Sequence, residues 1–327
     1  ADPSDPAKMF PPVNNHRDFV TGPEFQQRMD EMAAVGHRAM GDNKVWWDIT
    51  APNSPFTRVY GAENVEPMAG YIATMSPQND PINDAQMASE YMRRHLKREP
   101  VRQPNWRAPE TAMGSQSDNG GFSPKAGAKF PNEGTYAPNA ERVRAGRPET
   151  VQKDKVNDMF HALMGHNVGV FDRHWAKLAE APERGIYADT APNAIEGSMV
   201  SGRIDAYPVI ENAVRDASKR NGVDVSHYSA WVWEGIRDTI RKTGQLYGQK
   251  HSASAVPETT TGFNEIFEDL LQKKAKHLGV SVPKLEQMLR NGDAELLTAL
   301  LATPVGAAAY ARWSRSEEHT SELQSLA

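Results

Sequence analysis

Residues Lys155–Trp175 read KVNDMFHALMGHNVGVFDRHW, and the fold is decided by how this stretch is laid out. Val156, Met159, Phe160, Leu163 and Met164 recur at i, i+3, i+4, i+7 and i+8, an apolar stripe along one side of a helix. Gly165 stands where a helix C-terminus accommodates a left-handed residue. Asp172 precedes Arg173–Glu180, in which Trp175, Leu178 and Ala179 form the next stripe, so its carboxylate is a natural N-cap. A ten-residue helix is about 15 Å long. The seven residues Gly165–Phe171 reach about 23 Å when extended. The chain can therefore return so that Asp172 lies near Lys155, with two helix N-termini on one side. Their unpaired N–H groups and dipoles favour a phosphate there.

Outward from this stretch the helical period persists. Phe25–Met40 is expected to be helical. In Asn64–Ser76, Val65, Met68, Ala69 and Ile72 mark one face. A further helix is expected from Ile82 to Lys97, after the connection Pro77-Gln78-Asn79-Asp80-Pro81, which a proline stiffens at each end. Ser229–Thr243, Asn264–Leu278 and Lys284–Leu289 complete the expected helices, with Ser281 as N-cap of the last. No strand pattern or internal repeat appears. The sequence reads as all-α.

Composition narrows the function classes. The 327 residues include no cysteine, which removes disulfides, thiol catalysis, iron–sulfur clusters and cysteine-ligated zinc from this chain's chemistry. Mean hydropathy is −0.65, so long polar loops are expected beside a modest core. The longest apolar run, Leu296–Ala311, is 16 residues and contains Pro304, too short and broken to span a bilayer. Residues 1–20 hold no apolar signal-peptide core, which makes a cytoplasmic location the expectation. The net charge is −5, yet residues 91–155 carry 13 Lys/Arg against 7 Asp/Glu. A basic stretch inside an acidic chain is compatible with local phosphate contact as well as with a solvated charged face.

Domain boundaries follow composition. Residues 1–45 read as a partly disordered N-terminal extension, 46–250 as the main helical domain, and 263–313 as a small C-terminal helical module after the Ser/Thr-rich Ser252–Gly262. Residues 100–139 are dominated by Gly, Pro, Ser and Asn and read as an irregular insertion. The chain opens without Met, as a fragment or processed protein would. Residues 315–325, RSEEHTSELQS, resemble a translated sequencing adapter and are set aside from the fold.

Three pieces now stand together: Ser76-Pro77-Gln78-Asn79, Lys155-Val156 and Asp172-Arg173-His174. With them the chain resembles the helix–hairpin–helix DNA glycosylase superfamily, which includes endonuclease III and 8-oxoguanine glycosylase. Its likeness is greatest to phage-associated members. The resemblance covers roughly residues 60–245, interrupted by the 100–139 insertion. It implies a two-lobed helical body with a groove between the lobes, acting on a base flipped out of double-stranded DNA. Ile72–Met92 resembles the early helix–loop–helix, where Gln78 and Asn79 stand at positions that wedge into the base stack. Lys155–Trp175 resembles the catalytic segment. Lys155 matches the lysine that attacks the sugar in bifunctional members, once its pKa is lowered, and Asp172, 17 residues on, matches the aspartate that stabilises the cationic sugar. Arg93, Arg94, Lys97, Arg142, Arg144 and His174 are the remaining candidates for DNA contact. Arg147–Asp154, RPETVQKD, lacks the glycine pair of the family's hairpin, and Arg173 replaces its usual Thr or Val.

Other readings of the same residues stay open. Asp172 is also an ordinary N-cap, Lys155 an ordinary helix-end lysine, and Gln78-Asn79 an ordinary turn. His161, His166 and His174 match no strong zinc motif, so no metal and no cofactor is expected. Trp231 and Trp233 read as core or groove wall rather than base-stacking groups. A monomer is expected, with DNA glycosylase and AP lyase activity as the leading reading. The alternatives are a non-catalytic DNA-binding or phage-related accessory module, and a base-modification enzyme on the same scaffold.

Overall fold

The computed structural model describes residues 16–41, 47–76, 81–100, 133–150, 154–180, 206–250 and 262–291. Gln78, Asn79, most of the 100–139 insertion, the Leu296–Ala311 run and the 315–325 tail lie outside the described residues. In chain order the helices are α1 (His16–Val20), α2 (Pro23–Met40), α3 (Pro55–Tyr60), α4 (Val65–Met75), α5 (Pro81–Leu96) and α6 (Glu133–Arg144). They continue as α7 (Asp154–Leu163), α8 (Arg173–Leu178), α9 (Ala206–Asn221), α10 (Val225–Thr243), α11 (Phe263–Leu278) and α12 (Val282–Asn291). The strands among the described residues are two short ones, β1 (Gln245–Leu246) and β2 (Gln249–Lys250), paired antiparallel with Gln245 opposite Lys250. The architecture is all-α.

The decisive stretch folds as its sequence dictates. α7 buries Val156, Met159, Phe160 and Leu163. It ends at Gly165, whose φ is +77°. There the Gly165 N–H donates to the Ala162 carbonyl and the His166 N–H to the His161 carbonyl, both at 3.0 Å. These crossed bonds satisfy carbonyls that the helix end leaves open.

The described residues fall into two compact units, one within Ala1–Asp48 and Gln152–Gly262, the other within Ile49–Val151 and Phe263–Ala327. The first is organised by α2 against α10. A Cβ on Gly36 would overlap the Trp231 carbonyl oxygen, and one on Gly235 would overlap the Met32 carbonyl oxygen. The two glycines thus let the helices cross at backbone contact, and Met29, Met32, Ala33, Val232, Ile236 and Ile240 pack around the crossing. α2 is the helix expected at Phe25–Met40, inside the stretch 1–45 read as an N-terminal extension. Phe25, Met29, Met32 and Ala33 form an apolar stripe that needs a partner, and α10 provides it. α9 was not expected from the sequence; it buries Tyr207, Ile210, Val214 and Ala217.

In the second unit α4 is buried from Met68 through Met75 on every side, as a central helix must be. Helices α5 and α6 pack against it. α6 begins inside the stretch expected to be irregular and contains Pro138. Its buried Ala140 and Val143 supply packing that offsets the missing N–H. Helices α11 and α12 join α3 and α5 here and do not form a separate module. Phe267 stacks on Phe56 with centroids 4.2 Å apart, and Arg58 pairs with Glu268 at 2.5 Å and Glu286 at 3.0 Å. Two helices of this length have too little apolar surface to close a core alone.

Candidate functional site

Asp172 lies in the first unit, immediately before α8. Its Oδ1 accepts the His174 backbone N–H at 2.8 Å, the N-cap bond expected from the sequence. Its Oδ2 accepts the Trp233 indole N–H at 3.0 Å. Trp233 comes from the middle of α10, and the local sequence of Asp172 gives no hint of this partner. Burial pushes the Asp172 carboxyl up, but the charges of His174 and Lys155, the indole N–H and the His174 N–H outweigh it. The net effect holds its pKa below the ordinary aspartate value. The carboxylate form is therefore favoured, beside the buried chain neighbours Val170, Phe171 and Trp175.

Lys155 is the second residue of α7 and half-buried. Its charge is among the causes that lower the Asp172 pKa, so the two residues lie within electrostatic reach of each other. His174 was expected among the DNA contacts. Its side chain is enclosed instead, 4% exposed, with its ring edge-on to Trp233 at 5.9 Å. A ring so enclosed packs on Trp233 and offers little surface to a DNA backbone.

Behind Trp233 lies a charged pair. The Arg237 guanidinium sits over the indole at 4.2 Å from the ring centroid. Arg237 donates to Glu234 Oε2 at 3.1 Å, and both side chains are enclosed. Burial pushes the Glu234 carboxyl up to about 7, against the pull of Arg237 and Arg241. On the other flank the Tyr207 hydroxyl donates to Asp158 at 2.5 Å, and its ring meets Phe171 edge-on at 5.2 Å. This contact ties α9 to α7 and braces the residue next to Asp172.

The three histidines do not gather. His161 and His166 stack with their Nδ1 atoms 3.0 Å apart, while His174 is on Trp233. Among the described residues no group of three or more His, Asp or Glu is placed to hold a metal ion.

The basic candidates of the second unit divide by burial. Arg94 is 1% exposed, bonded to Glu90 at 3.3 Å and placed over the Tyr91 ring. A guanidinium enclosed in this way cannot reach a phosphate, which corrects the expectation for Arg94. Arg93 is committed to two carboxylates, with paired bonds to Glu90 at 2.9 and 3.0 Å and to Glu99 at 2.8 and 3.0 Å. Lys97 is exposed just beyond α5, and Arg142 and Arg144 are half-buried in the last turn of α6. The Arg144 charge acts on Tyr71 and His95, whose hydroxyl and Nδ1 lie 3.0 Å apart.

No family model, curated protein or solved structure matches the chain. Among the described residues no helix is long and apolar enough to cross a membrane.

Proposed function

We propose that this chain is a DNA glycosylase-like protein acting on a base extruded from double-stranded DNA, with Asp172 as the reacting carboxylate. One observation carries the reading: the Asp172 carboxylate is fixed by the Trp233 indole N–H and kept below the ordinary aspartate pKa, with the Lys155 charge acting on it. Cleaving an N-glycosidic bond develops positive charge on the sugar. A fixed carboxylate in a sheltered site stabilises that charge without reorganising at the moment of reaction. Extruding the base costs a few kcal/mol, and a damaged or mismatched base costs least. Lys155 is the candidate nucleophile for a Schiff base at the sugar C1′ and subsequent strand nicking. Lys97, Arg142 and Arg144 are the candidates for backbone phosphate contact.

A second reading, a non-catalytic DNA-binding module, is favoured by the fact that both Asp172 oxygens already accept a protein N–H. Capping and bracing would then be all that Asp172 does. Incubation with a panel of damaged-base duplexes, followed by alkali and gel analysis, separates the two. Strand breaks after alkali that depend on one base are expected under the first reading. Retention of DNA with no breaks on any duplex supports the second.

A further inference from the structure

We propose that Trp233 is a positioning residue for Asp172, its indole N–H fixing the plane of the carboxylate. For the chemistry this rests on the glycosylase reading above. The geometry stands independently of it. Capping α8 requires only the bond from the His174 N–H to Oδ1; the 3.0 Å bond from Trp233 to Oδ2 adds nothing to the cap. Two donors on two different oxygens lock rotation about the Cβ–Cγ bond, because turning the carboxylate breaks both. Each carboxylate oxygen has about two acceptor sites. These two bonds therefore leave one acceptor direction on each oxygen unused, and that direction is fixed with the carboxylate plane.

The arrangement behind the indole supports the same role. A buried Arg–Glu pair is weak evidence for stability, because desolvation offsets the attraction. Here the pair Glu234–Arg237 lies where it acts on the ring: the guanidinium covers the face of the indole whose N–H holds Asp172. A cation over the ring draws electron density from it and makes the N–H a stronger donor. The charged groups acting on Asp172 are His174 and Lys155, and that on the ring face is Arg237. Removing the indole donor leaves the first two in place.

The test uses the full chain with Trp233→Phe, which keeps an aromatic ring and removes the donor. With a duplex that the wild type processes, kcat is expected to fall about tenfold with KM little changed. The acid limb of the pH–rate profile should move to higher pH, since the lost N–H favoured the carboxylate form. A Trp233 that only fills space would lower the yield of folded protein and leave that limb in place. A second measurement avoids dependence on that variant's folding. With ¹⁵N-labelled tryptophan at neutral pH, one indole N–H resonance of the wild type is expected downfield, moving upfield in Asp172→Asn. An unchanged kcat and acid limb in folded Trp233→Phe would overturn the proposal, as would indole resonances identical in the wild type and Asp172→Asn. If the wild type releases no base from any duplex, the glycosylase reading fails and the catalytic role of Trp233 fails with it. The resonance comparison then still reports whether the indole holds the carboxylate.

Discussion

The Asp172 carboxylate caps α8 through the His174 N–H with one oxygen and takes the Trp233 indole with the other. Asn keeps one acceptor oxygen and caps about as well as Asp. In Asp172→Asn the cap therefore survives, while the amide group now faces the indole N–H with a donor. The variant is expected to stay folded and to lose stability through the Trp233 bond, by about 1–3 kcal/mol. Asp172→Ala should lose the cap as well, about 1 kcal/mol more. Urea denaturation of the two variants reads the difference. Base release should fall about 100- to 1000-fold in Asp172→Asn. Unchanged release by the folded variant would remove Asp172 from the chemistry.

Glu234 and Asp172 respond to pH in opposite senses. Burial raises the Glu234 carboxyl from an ordinary 4.5 to about 7. Between those values the folded protein holds a proton that the unfolded chain has released, so this group's contribution to stability rises as pH falls from 7 and levels off near 4.5. The Asp172 carboxyl is depressed, so its contribution is present above its ordinary value of 3.8 and is lost as pH falls through the folded one. Comparing Glu234→Gln with the wild type by urea denaturation from pH 8 to pH 5 isolates the first effect. The wild type should gain stability over this range relative to the variant. A difference that stays constant across the range would show that Glu234 does not titrate there.

How much of this was legible in the sequence depends on how local each feature is. The α7 stripe and the Gly165 terminus are set by residues within two turns of each other, and both were readable. α9 was hidden behind Pro208, which suggests a breaker, although in the first turn a proline costs little. α6 was hidden in the same way by Pro138. The Trp233–Asp172 bond joins residues 61 apart, and no period or cap rule reports such a contact. Arg94 is different, because its burial was readable and missed. Met87, Tyr91 and Arg94 fall at i, i+4 and i+7, so the apolar face of α5 carries Arg94 inward, while its neighbour Arg93 turns toward Glu99. Counting basic residues in the stretch discarded that phase.

The crossing of α2 and α10 predicts an intolerance confined to two glycines. Adding one methyl group at Gly235 would drive it into the Met32 carbonyl oxygen, which is backbone and cannot rotate away. Gly235→Ala should separate the helices and cost about 1–3 kcal/mol or more, visible as a lowered Tm. Ala is otherwise the better helix former by about 1 kcal/mol, so a rise in Tm would show that the helices do not cross at this contact.

The division of the basic residues by burial predicts which substitutions alter DNA binding. A lysine or arginine that neutralises one phosphate releases condensed counterions, so log affinity falls with log salt concentration with a slope of about −0.9 per contact on duplex DNA. Lys97 is exposed beyond α5, and Arg142 lies in the last turn of α6. Lys97→Ala and Arg142→Ala should each weaken duplex binding whatever the base sequence and reduce the slope by about 1. Arg94→Met should act differently. It takes one guanidinium from Glu90, which is 2% exposed, and leaves the ion pair with Arg93 in place. Breaking a buried pair typically costs about 3–5 kcal/mol, so the loss should appear as a lower Tm. The folded fraction of Arg94→Met should bind DNA with an unchanged salt slope, because the guanidinium it lacks never reached solvent. Fluorescence anisotropy on one duplex from 50 to 200 mM salt, alongside thermal denaturation, reads both quantities. A salt slope reduced in Arg94→Met and unchanged in Lys97→Ala and Arg142→Ala would reverse the assignment.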